Sequence, residues 1–184
     1  MSNERVHTLL PFGALLALSA TITSWYAFLE PNKYYSVFVI LLATIIGFEA
    51  AQRSNYHYAK SYVLFLLAIA TLYSEQRGFS LIFLVPTTAF TAMLVYFLFE
   101  QIEVSGLSIR DQIIVSIAFT EACMLVFGIG IGIFLKGAII MSCAVSIVEV
   151  LRYSTRERWR AAAPYGILTL LLLGLLVITS LLAH

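Results

Sequence analysis

Residues 81–99 read Leu81-Ile82-Phe83-Leu84-Val85-Pro86-Thr87-Thr88-Ala89-Phe90-Thr91-Ala92-Met93-Leu94-Val95-Tyr96-Phe97-Leu98-Phe99, without one charged side chain. A helix of about 20 residues rises about 30 Å, the thickness of a bilayer's hydrocarbon core. Backbone amides in contact with lipid can be satisfied only within a helix or a closed barrel. The run lacks the apolar–polar alternation of a barrel strand. This stretch therefore predicts a membrane-spanning helix, and Pro86 within it predicts a lost backbone hydrogen bond and a kink. Thr87 and Thr88 are placed to help satisfy the freed carbonyl.

The same reading extends in both directions. Apolar runs predict spans at about 8–29, 35–52, 59–75, 79–101, 110–131, 134–153 and 162–183. Apolar residues make up 61% of the 184 and charged residues 11%, with a mean hydropathy of +0.94. A soluble domain is nearer one quarter charged. Seven spans need roughly 140 residues, leaving short joints and no soluble domain. The fold expected is all-α, a polytopic transmembrane bundle forming a single integral membrane domain over 1–184. Gly128, Gly130, Gly132 and Gly137 blur the boundary between the fifth and sixth spans, and one long broken helix there would give six. The apolar run after Met1 continues past Ala20 to Leu29, which predicts an uncleaved first span rather than a signal peptide.

Basic residues set the orientation. Arg5, Arg53, Lys60, Arg110, Arg152, Arg156, Arg158 and Arg160 fall on one side, and Lys33, Arg77 and Lys136 on the other. Eight against three predicts a cytoplasmic N-terminus in a cell membrane, inner or plasma. Trp25, Tyr26, Tyr34 and Tyr35 then mark the outer interface, and Tyr56, Tyr58, Tyr62, Tyr153, Trp159 and Tyr165 the inner one. The net charge of +1 offers nucleic acid no field. Cys123 and Cys143 lie inside apolar runs and read as packing residues. With His7, His57 and His184 scattered, no metal set or cofactor motif assembles. Gly128-Ile129-Gly130-Ile131-Gly132 follows no strand, so it reads as close packing and a tight hairpin, not a nucleotide loop.

Glu121 is the first candidate for chemistry, because an acid at mid-span depth costs a few kcal/mol unless it finds a partner or stays protonated. Its expected partner is the sixth span, where Ala138, Ser142, Ser146, Glu149 and Tyr153 form one polar stripe. Glu121, Ser142, Ser146 and Glu149 together are the candidate proton or ligand path, set against a plain helix-packing seam. Glu49 with Arg53, and Glu149 with Arg152, have the spacing of interfacial ion pairs. Arg156, Arg158, Trp159 and Arg160 are expected at anionic lipid head groups on the cytoplasmic face. A shift of one hundred residues puts Glu49 on Glu149 and Ser54 on Ser154. Other identities are sparse, and evenly spaced helices always superpose this way.

In layout the chain resembles uncharacterised small seven-span bacterial membrane proteins. The marks are an acid and a base closing the second span, Glu49 and Arg53, and the acid Glu121 in the fifth. The resemblance implies a seven-span fold and brings no activity. The functional expectation is a non-enzymatic membrane subunit or scaffold, acting through helix packing and partner binding in a homo-oligomer or a complex. The alternative is a small-solute or proton-coupled transporter using Glu121. An enzyme comes third, because no nucleophile–base pair is present.

Overall fold

Each joint between the helices is built from residues that stop one helix or start the next. The computed structural model describes residues 3–53, 56–103 and 106–152, with 163, 164, 167, 171 and 174. Six helices fill the continuous part: α1 Asn3–Leu29, α2 Lys33–Arg53, α3 Tyr56–Gln76, α4 Leu81–Glu103, α5 Ile109–Phe127 and α6 Ile133–Arg152. The described residues contain no strand. Gly78 ends α3 at φ 81°, a left-handed conformation that costs a side chain strain. The Phe79 amide donates to the Ser74 carbonyl and the Gly78 amide to that of Glu75, the paired bonds of a Schellman cap. At the start of α5 the Ser108 hydroxyl accepts from the Asp111 amide at 3.2 Å and donates to its carboxylate at 2.7 Å. This reciprocal cap satisfies an amide that the first helical turn leaves open.

Among the described residues, three helices are long and apolar enough to cross a membrane, over Leu10–Leu29, Lys33–Gln52 and Leu81–Glu103. The expected spans and observed helices agree within a few residues where both exist. The largest difference is at α1, which starts at Asn3 rather than 8, and α5 stops at Phe127 rather than 131. Gly128 to Gly132 breaks the chain, and α5 and α6 are two helices packed side by side. Of the expected seventh span, only Ala163, Pro164, Ile167, Leu171 and Gly174 lie among the described residues, and all are helical.

The centre of the bundle is α3, which packs against every other described helix. Leu67, Ala68, Ile69, Ala70 and Leu72 are fully buried there. Sheltered by its neighbours, α3 can carry Lys60, Thr71 and Ser74 inside the core without exposing them to hydrocarbon. Helices α1, α4, α5 and α6 form an arc around it. Helix α2 packs on α1 and α3, and its Tyr35 ring meets Phe134 of α6 edge-on with centroids 6.4 Å apart. Pro86 sits inside α4 without ending it. Thr88 does not turn back to the proline: its hydroxyl meets that of Thr71 on α3 at 3.0 Å. Thr71 in turn donates to the Leu67 carbonyl, so this buried pair is satisfied.

Candidate functional site

Helix α5 has two faces. Val115, Ser116, Phe119, Thr120, Cys123 and Val126 are buried against the bundle. Ile114, Ile117, Glu121 and Leu125 are exposed, at spacings of three, four and four, and so form one outward stripe. Glu121 lies six residues from the end of α5, or about 9 Å of helix rise. Among the described residues it has no hydrogen bond or ion pair.

Among the described residues Glu121 has no hydrogen bond or ion pair to the expected α6 stripe, whose Glu149 side chain and Tyr153 lie outside them. Ser142 is buried, while Ser146 is half-buried and donates to the Ser142 carbonyl at 2.8 Å. That bond stays within α6, a common use of a serine in a helix. Glu49 is exposed near the end of α2 and is engaged within the structure. The side chains of Arg53, Glu149 and Arg152 lie outside the described residues, as do Arg156, Arg158, Trp159 and Arg160.

The structure assembles polar groups that the sequence left in separate joints. At the end of the bundle holding the α1–α2 and α3–α4 joints, Glu30 is only 2% exposed. Its Oε2 accepts from the hydroxyls of Tyr26 at 2.8 Å and Tyr73 at 3.0 Å, and its Oε1 from the Asn32 amide at 3.1 Å. Both carboxylate oxygens are therefore satisfied although the group is buried. Around it the Trp25 indole donates to Ser74, Lys33 to the carbonyls of Ala27 and Glu30, and Arg77 to that of Leu29. The last carbonyls of α1, which have no partner within the helix, thus receive donors from both neighbouring joints. The one early signal was Tyr26 lying four residues before Glu30, on one helix face.

A charged pair lies at the opposite end. Lys60, at the start of α3, contacts Glu103, at the end of α4, at 2.9 Å, with side-chain exposures of 5% and 14%. Glu100, one turn earlier, accepts from the Leu107 amide and so helps fold the joint into α5. A third cluster sits where α3 meets α6. Lys136 is 4% exposed, donates to the Phe127 carbonyl at 2.6 Å and lies 5.7 Å from the centre of the Phe127 ring. Glu75 is close enough to couple to it electrostatically, yet its buried Oε2 has no hydrogen bond. Among the described residues no group of three metal-ligating side chains forms. Compared with protein-family models, curated proteins and solved structures, the chain matches none.

Proposed function

We propose that this chain is a non-enzymatic membrane subunit that works by packing a partner against α5. It has seven spans, with its N-terminus in the cytoplasm. The orientation rests on the basic residues, and the span count on the apolar runs, including that over 162–183. The observation that carries the partner reading is the outward Glu121, flanked by Ile117 and Leu125 and without a hydrogen bond or ion pair among the described residues. A carboxyl facing hydrocarbon costs about 2.5–3.5 kcal/mol on insertion scales. A second protein helix laid over the stripe and offering a hydrogen-bond donor removes much of that cost. The transport alternative needs a path joining Glu121 to Ser142, Ser146 and Glu149; the exposure of Glu121 and the burial of Ser142 support the partner reading over it.

Photo-crosslinking tests this face. A crosslinker placed at Leu125 in native membranes is expected to trap a discrete protein partner, and one at Ile82 on α4 is not. Glu121→Leu should abolish the Leu125 adduct, while Glu121→Gln, which keeps a hydrogen-bonding group, retains most of it. An adduct that survives Glu121→Leu, or the absence of any adduct, would overturn the proposal.

A further inference from the structure

Between α1 and α2 runs an open groove of about 970 Å³, lined by Ala20, Thr23, Ala27, Ala43, Gly47 and Ala51 among others. It extends along α2 from Lys33 to Ala51, which is about 27 Å of helix rise and close to the hydrocarbon thickness. At Ala43 and Gly47 it borders an inner cavity of about 80 Å³, which reaches Tyr56, Tyr62 and Phe99. The hydroxyls of Thr23, Ser36 and Thr44 all donate to backbone carbonyls, so these side chains ask nothing of an occupant. Such walls favour a hydrocarbon chain, since apolar cavities stay dry and take apolar guests.

The mouth of the groove is positive. Lys33 is exposed and uses two of its three ammonium hydrogens on the carbonyls of Ala27 and Glu30. Arg77 does not line the groove; it is exposed at the same end of α1 and uses one guanidinium nitrogen on the Leu29 carbonyl. The nearby acid, Glu30, is buried, and its oxygens already accept from Tyr26, Tyr73 and Asn32. The N-terminus of α2 also begins at Lys33 and adds its partial positive charge. Ser24 stands five residues in from the end of α1, about 7.5 Å deeper, where the ester of a lipid would lie.

We propose that the α1–α2 groove is a binding site for one anionic phospholipid. Its phosphate lies at Lys33, one acyl chain follows the groove, and the chain end reaches the cavity beside Ala43 and Gly47. Ala43 is ten residues from Lys33, about 15 Å, or one leaflet of hydrocarbon. This site is independent of the α5 face.

The test uses the full chain in nanodiscs of phosphatidylglycerol and phosphatidylcholine in equal amounts with identical acyl chains. The protein is then released into mild detergent and weighed by native mass spectrometry. The wild type should keep one phosphatidylglycerol, favoured about fivefold, as one lysine near the membrane surface implies. Lys33→Gln should bring the two lipids near parity while a lipid is still retained. Ala43→Phe should lower retention of both by about tenfold, the effect of losing about 1.4 kcal/mol of binding. Gly47→Leu is a second blocking variant, since a Cβ at Gly47 meets nothing within 4 Å. Both are read only with a wild-type elution profile. Three results would each sink the proposal: a wild type that keeps no lipid or keeps both equally, lipid retained by both blocking variants, and a lipid-free dimer that the blocking variants dissociate.

Discussion

At the scale of single residues, burial and pairing set the cost of each charge. Lys60 and Glu103 are both largely out of solvent and hold each other at 2.9 Å. Removing one partner leaves the other charge buried without its mate, which costs about 3 kcal/mol or more. Lys60→Met is therefore expected to lower the melting temperature in detergent markedly. The double variant Lys60→Met, Glu103→Leu should recover most of the loss, because two apolar groups can replace a buried pair at little cost. A double variant no more stable than Lys60→Met would contradict an unpaired Glu103 as the source of the loss. Glu121 stands in the opposite situation, as an exposed acid among isoleucine and leucine. Its place in the fifth helix was legible in the sequence. Its outward direction was not, since Glu121 has small and apolar neighbours on every side of α5.

At the scale of elements, glycines divide into those that let helices touch and those that do not. A Cβ on Gly137 would come within 2.9 Å of the Phe65 ring and 3.1 Å of Ile69 Cγ1, both on α3. At Gly47 the same atom meets nothing within 4 Å. Gly137→Ala should push α6 from α3 and destabilise the fold by about 1–3 kcal/mol, the usual cost of overpacking. Gly47→Ala should be neutral or stabilising by about 0.5–1 kcal/mol, because alanine loses less backbone freedom in a helix. Thermal unfolding of the two variants side by side checks this, and equal melts would contradict the α3–α6 contact. The glycine-rich stretch 128–137 was legible as a region of close packing and turning. Only the packed helices show that Gly137, rather than Gly128 or Gly132, makes the close approach.

At the scale of the whole molecule, the seven-span reading predicts which joints share a side. A reporter active only in the cytoplasm should work when fused after Ser54 or Ser105. One active only outside should work after Gly78 and after His184. A C-terminal fusion active only in the cytoplasm would remove the seventh span. Among the described residues, three helices are apolar enough to cross by themselves. The central α3 belongs to the bundle through its contacts with five neighbours rather than through its own hydropathy.

What the sequence determined by itself was the helical class and the approximate position of each helix. The length of an apolar run against the thickness of a bilayer is a local quantity, readable one segment at a time. The joints were legible for the same reason, since charge, glycine and proline act within a few residues. What only the tertiary structure decided was which side of each helix turns inward. Helices that are apolar nearly all round leave that choice to packing against their neighbours. Packing faces Glu121 outward, leaves Ser142 buried on a different helix, and gathers Tyr26, Glu30 and Tyr73 into one buried cluster.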